Sequence, residues 1–296
     1  MSWITAPYCD ALGPRYYLST LRLTPYFQVL ATKWSRVSVA FEPRVSARIM
    51  LGTSHPVRTP SYNPGFTVYC RLLNDSTHLL SFVGSLFHHS NGQDGPTLDS
   101  SGTAPFLMNT KNGSFATNYY TLGFAYGQSF QHQKLTFQTN SRIEIEHHIF
   151  GIDEGMKHRF GNVRLNMKFG TIVLGRYIEK IKVGRKKFAA LREQQLVELF
   201  RFTGTINLIL DKFTGPQSGT FGRRINLELA IMYRFPGSPN MSVMLAGGYY
   251  GQDPYNIYMY DRYGFVRIGF ATGFFVYRLS PDKFKIPNAR NDLILK

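Results

Sequence analysis

The sequence predicts one antiparallel β-barrel of about twelve strands that crosses a membrane. Three observations predict it. Strand-like runs follow one another at short intervals from residue 16 to residue 277, with no internal repeat and no low-complexity linker in the chain of 296. Several runs alternate oily and polar side chains with period two. Mean hydropathy stays near neutral at −0.19 although 43% of residues are hydrophobic and 15% aromatic. A barrel with lipid outside and a polar lumen has this average, because its two faces cancel. No stretch approaches the roughly 18 consecutive apolar residues of a membrane helix. Charged residues, at 18%, fall below the roughly 25% usual in soluble domains.

In chain order the expected strands are 16–23, 26–32, 37–51, 65–72, 78–90, 118–130, 135–149, 161–173, 197–210, 224–235, 241–251 and 264–277. In 143–146, Ile143 and Ile145 alternate with Glu144 and Glu146. In 162–169, Val163, Leu165, Met167 and Phe169 oppose Arg164, Asn166 and Lys168. In 225–234, Ile225, Leu227, Leu229, Ile231 and Tyr233 oppose Asn226, Glu228 and Arg234. Successive side chains of a strand point to opposite faces, so each run has one oily and one polar side. Runs of 10 or more residues are long enough to cross a bilayer at a tilt. Charges in mid-strand fit a charged lumen, filled rather than open at this strand number. Tyr16, Tyr17, Tyr119, Tyr120, Tyr249, Tyr250, Tyr258 and Tyr260 lie near strand ends, where interfacial girdles are expected.

Lys and Arg number 34 against 18 Asp and Glu, a net charge of +16. That excess favours polyanionic partners: nucleic acid, anionic headgroups or lipopolysaccharide phosphates. Nucleic acid is set aside, because no RRM or OB-type aromatic signature accompanies the charge. The segment 178–198 carries Lys180, Lys182, Arg185, Lys186 and Lys187. It reads as a basic loop insertion, solvated or in contact with lipopolysaccharide, whose second half could form a short helix. Residues 279–296 read as a C-terminal extension. Residues 1–21 lack a positive region followed by an apolar core and do not read as a signal peptide. Two cysteines, Cys9 and Cys70, build no disulfide framework and no zinc site.

The chemistry concentrates at Phe87-His88-His89-Ser90-Asn91-Gly92. Phe82, Gly84, Leu86, His88 and Ser90 share one strand face, apolar up to the histidine and therefore the lipid face. Asn118, Tyr120, Leu122, Phe124 and Tyr126 share the corresponding face of the next strand. Pairing the two strands puts Ser90, His88 and Asn118 at one height on the outside. A serine needs a base to attack at neutral pH, and the base needs a third group to hold its tautomer. Such a trio facing lipid suits hydrolysis of an acyl ester. His89 has the opposite parity and belongs to the lumen or a loop. His147 and His148 point to opposite faces and do not form a metal site. Gly92, Gly95 and Gly102 have no following Lys-Ser/Thr or helix and do not form a phosphate cradle.

These residues resemble the outer-membrane phospholipase A family, which shows His-x-Ser-Asn-Gly at a strand end and an Asn on the next strand. Pro96-Thr97 follows, as the family tends to have. An upstream block, Ser54-His55-Pro56-Val57-Arg58-Thr59-Pro60-Ser61-Tyr62-Asn63-Pro64, resembles the family's Ser-x-Pro-Phe-Arg-x-x-x-Tyr-x-Pro. The match covers residues 54–126. The resemblance implies a twelve-stranded outer-membrane barrel hydrolysing phospholipid in the outer leaflet, with Ser90 as nucleophile, His88 as base and Asn118 orienting it. It also implies a calcium ion beside the serine, shared across a homodimer, with Ser54 donated by the second subunit and the Gln93 carbonyl as a ligand in cis. The family's Arg after Asn-Gly is Gln93 here. Its hydroxyl ligand after Pro-Thr falls on Leu98, which cannot bind calcium, leaving Asp99, Ser100 or Ser101 as substitutes. Two rivals follow: a barrel without turnover serving an outer-membrane assembly, and a narrow channel.

Overall fold

The computed structural model describes residues 2–13, 17–31, 35–51, 57, 59–99, 108–180, 192–215, 219–235, 241–273 and 276–278. Fourteen strand segments form one antiparallel sheet. They are β1 (Ser2–Ala11), β2 (Tyr17–Leu23), β3 (Phe27–Leu30), β4 (Val37–Met50), β5 (Ser61–Asn74), β6 (His78–Ser90) and β7 (Ala116–His132). The rest are β8 (Leu135–Phe150), β9 (Val163–Lys180), β10 (Arg192–Ile209), β11 (Ile225–Arg234), β12 (Ser242–Tyr250), β13 (Tyr263–Thr272) and β14 (Val276–Arg278). The ring closes where β13 pairs with β1 and is continuous from β10 to β11. β2 and β3 both pair with β4, at its two ends. They are one stave interrupted at 24–26, where Pro25 has no N–H for a ladder. β14 adds to the part of β10 that β11 does not cover. The result is a closed antiparallel barrel of twelve staves, with no α-helix among the described residues.

The count of twelve agrees with the sequence, but through two compensating differences. The segments 16–23 and 26–32 are halves of one stave, and β1 was not expected. In β1 Ile4 faces out and Thr5 in, as alternation requires, but the inward Trp3 is apolar. Trp3 fills the lumen beside Met232, Met244, Ala246 and Ala271, so an apolar core replaces polar lining there. The segment 178–198 also differs from expectation. β9 runs to Lys180 and β10 begins at Arg192. Residues 192–198 are therefore strand rather than helix, and the connection is only 181–191. That connection, like 279–296, lies outside the described residues.

The outer wall is apolar: Phe66, Phe82, Leu86, Leu122, Phe124, Ile143 and Ile145 are all exposed. A continuous apolar belt of this kind belongs against lipid, and the fold fits an outer-membrane protein. Inside, charges pair, Arg142 with Glu144 at 2.5 Å and Arg201 with Glu198 at 2.6 Å, and His148 Nε2 lies 2.9 Å from a Glu146 carboxylate oxygen. A polar cavity of about 200 Å³ remains in the lumen, lined by Arg22, His89, Glu146, His148, Arg164 and Glu228 among others. Cys70 carries a free thiol.

The girdle of tyrosines needs correction. Tyr17, Tyr119, Tyr250 and Tyr258 are buried inside the barrel. Adjacent tyrosines on a strand must point to opposite faces, so Tyr119-Tyr120 and Tyr249-Tyr250 each give at most one ring to the interface.

The connections differ between the two ends. One end has 51–60, 91–115, 151–162, 210–224 and 251–262; the other has short turns at 75–77 and 133–134. Asp75 shows how a short turn closes. Its Oδ1 accepts from the backbone N–H of Thr77 at 2.8 Å and of His78 at 2.7 Å. These two bonds hold its carboxyl down at about 2. In outer-membrane barrels the long loops face outward. β9 ends at Lys180 and β10 begins at Arg192, and the basic connection between them lies outside the described residues. The long loops meet in an apolar cap of Met108, Phe115, Met156, Phe160, Tyr255, Ile257, Tyr258 and Met259, which works against the channel alternative.

Close strand approach makes one glycine indispensable. Gly123 lies between Val83 of β6 and Glu144 of β8, and a Cβ there would overlap the Ile143 carbonyl oxygen. Gly123→Val should lower the midpoint of heat-modifiable barrel mobility, with a destabilisation of about 1–3 kcal/mol from overpacking.

Candidate active site on the outer wall

β6 and β7 carry the site because their alternation persists to the strand ends. On β6, Phe82, Leu86 and His88 are exposed while Val83, Phe87 and His89 are buried. On β7, Thr117, Tyr119 and Thr121 are buried while Leu122 and Phe124 face out. Asn118 shares the outward parity and lies directly opposite His88. His88 Nδ1 and Asn118 Oδ1 are 2.8 Å apart.

The bond polarity follows from a second contact. Asn118 Nδ2 donates to the Phe150 carbonyl at 3.2 Å. A carbonyl only accepts, so the amide is fixed with Oδ1 toward the histidine. Oδ1 also only accepts, so His88 Nδ1 must carry the proton and donate. Nε2 is then the lone-pair nitrogen, as a general base requires. The local β8 backbone serves this arrangement. A bulge separates the pairs Asn118–Phe150 and Tyr119–His148, leaving Ile149 as the extra residue. The following Gly151 has φ of +62°, and a Cβ there would strike the Asn118 amide.

Ser90 lies one outward position beyond His88, opposite Ala116 of β7 and Tyr62 of β5. Neither its hydroxyl nor His88 Nε2 makes a hydrogen bond among the described residues. The structure thus joins His88 to Asn118 and sets Ser90 on the same face without bonding it to the histidine.

The residues on either side of Ser90 are clamped. His89, 7% exposed, has its Nε2 2.7 Å from Ser61 Oγ and its ring edge-on to Phe115 at 4.7 Å. Asn91, 1% exposed, accepts from the N–H groups of Gln93 and Phe115 and donates from Nδ2 to the Gly113 carbonyl. Gly92 follows at φ +68°, and its N–H has no partner among the described residues. The clamp by Asn91 and the Phe150 carbonyl were missed in the sequence. An Asx turn at Asn-Gly was a readable signal for the first; a backbone acceptor leaves none.

The expected calcium ligands fall only partly among the described residues. Ser54 lies outside the described residues, Gln93 is half-buried and Asp99 is exposed. Leu98 packs against the apolar cap. Among the described residues no three His, Cys, Asp or Glu side chains gather into a metal site, and calcium takes six to eight oxygens. The hydroxyl and carbonyl ligands expected for calcium are not side chains of that kind, and no step below runs through the ion.

No protein-family model and no curated protein matches the chain. Among solved structures it is similar to LpxR from Salmonella typhimurium, with 9% sequence identity and a TM-score of 0.41, over 89% of this chain and 90% of that one. A likeness of that size carries no residue and no activity across.

Proposed function

We propose that the protein is an outer-membrane hydrolase that cleaves acyl esters of phospholipids at the lipid-facing wall. The observation that carries this is the His88–Asn118 hydrogen bond of 2.8 Å, placed outside the barrel with Ser90 beside it. Ser90 Oγ attacks the ester carbonyl carbon while His88 Nε2 takes its proton. The same nitrogen delivers that proton to the leaving glycerol oxygen. Water then attacks the acyl-serine, losing its proton to His88, and the fatty acid departs as Ser90 regains its hydrogen. Asn118 stabilises the imidazolium that forms in both steps. The unpaired Gly92 N–H, two residues from the nucleophile, is the available donor for the developing oxyanion. A catalytic hydrogen bond that is open in the resting state closes when substrate binds.

The test is fatty-acid release from long-chain phospholipid by the purified protein in detergent. Asn118→Ala should slow it about 10–100-fold, the loss of a hydrogen bond to a developing charge. Asn118→Asp keeps the acceptor but loses the donation to Phe150, and should fall less. Wild-type rates in both variants would remove Asn118 from the mechanism. A barrel without turnover, serving an outer-membrane assembly, is the second reading. It draws on the unbonded Ser90 and on Leu98 in place of a ligand, and an absence of any release by the wild type would favour it.

A further inference from the structure

A second polar pair stands on the lipid-facing wall beside the site. Tyr120 follows Asn118 on the outward face of β7, and His147 is its partner across the ladder on β8. The Tyr120 hydroxyl and His147 Nδ1 are 3.1 Å apart, with the rings edge-on at 5.6 Å. The next outward residues of β8, Ile145 and Ile143, are exposed and apolar. The pair therefore sits where the hydrocarbon belt begins.

An ordinary interfacial tyrosine points its hydroxyl at water or headgroups. Tyr120 instead turns its hydroxyl sideways to an imidazole. The hydroxyl can donate or accept. When it donates to Nδ1, the proton of neutral His147 resides on Nε2, which has no partner among the described residues. In that arrangement His88 has the opposite tautomer. The outer wall thus presents one imidazole as a base and, one strand beyond Asn118, another as a donor. Neighbouring strands are about 4.8 Å apart and same-face residues about 7 Å, so the two stations lie within the span of one glycerophospholipid. A donor left without an acceptor at the edge of hydrocarbon is costly; a substrate oxygen would satisfy it.

We propose that His147, oriented by Tyr120, hydrogen-bonds an acceptor oxygen of the substrate's glycerophosphate part, a phosphodiester or second-ester oxygen, and so favours phospholipid over simple esters. This rests on the hydrolase reading above. The experiment compares kcat/KM for a long-chain phospholipid with that for a p-nitrophenyl ester of the same fatty acid, which has no glycerophosphate. His147→Phe keeps the ring and removes the donor. It should lower the ratio of the two about tenfold through KM of the phospholipid, the worth of one such hydrogen bond. Tyr120→Phe should shift the ratio in the same direction by less. Heat-modifiable mobility confirms that both variants fold. Wild-type turnover with an unchanged ratio in His147→Phe overturns the inference alone. No turnover of either ester by the wild type overturns the hydrolase reading with it.

Discussion

Ser90→Ala should reduce fatty-acid release on the order of 10³-fold or more, the loss expected when a nucleophile is removed from a working triad, while the barrel stays folded. The second half of that expectation comes from the surroundings. Ser90 lies at the end of β6, faces outward, and its hydroxyl bonds nothing among the described residues. Its neighbours His89 and Asn91 hold the backbone in place without it. The variant therefore removes chemistry and no fold contact. A control comes from inside the wall. Ser61 Oγ lies 2.7 Å from His89 Nε2, a tighter serine–histidine contact than Ser90 makes. Yet both residues are buried, and the histidine's other nitrogen has no orienting partner among the described residues. An ester in the membrane cannot reach that pair. Ser61→Ala loosens one hold on His89 but removes no reacting group, so it should slow turnover far less than Ser90→Ala. The opposite result, activity lost with Ser61 and kept without Ser90, would move the reaction into the lumen.

The parity of β6 and β7 was legible because alternation propagates. Leu86 and Leu122 fix which way His88 and Asn118 point, although 25 loop residues, 91–115, separate the two strands. What was not legible shares one cause: side chains and backbone groups brought together by closure of the barrel rather than by spacing. The Phe150 carbonyl that sets the Asn118 amide has no sequence signature. The inward Trp3 breaks the polar lining of β1 because its lumen neighbours, Met232 and Met244, come from the far end of the chain. Clustering alone does not place the tyrosine pairs at the interface, because strand parity sends one ring of each pair inward. The family's calcium ligands depended on loop positions, where Leu98 joined the cap. The Tyr120–His147 pair was available to the same parity reasoning that found Asn118, since both residues sit on faces whose direction was already fixed.

The largest stability effect is expected from the ion pair that seats loop 251–262 in the barrel. Arg48 of β4 is 3% exposed and Asp253 of that loop 0%. Their contact is bidentate: Nη1 to Oδ2 at 2.6 Å and Nη2 to Oδ1 at 2.7 Å. Tyr17 accepts from Nη1 at 2.7 Å. Tyr263 accepts from Nη2 at 3.1 Å and donates to Asp253 at 3.0 Å. The rings of Tyr17 and Tyr255 lie over the guanidinium at 4.4 and 4.3 Å. Asp253→Ala leaves a buried cation without its partner, and the loss should be about 3–5 kcal/mol. The double variant Arg48→Met/Asp253→Leu removes both charges from the same space and should recover much of it. The readout is the midpoint of heat-modifiable mobility for the two variants. A double variant as unstable as the single one would show that the pair itself, and not the stranded charge, holds the loop. The consequence reaches the outer wall through the cap. Ile257 and Met259 of this loop pack in one cluster with Phe115, and Phe115 touches His89 and accepts the N–H of Asn91 through its carbonyl. Asp253→Ala should therefore also slow fatty-acid release, and the double variant should restore rate and stability together, because the seating of the loop and the clamp on Ser90 share these contacts.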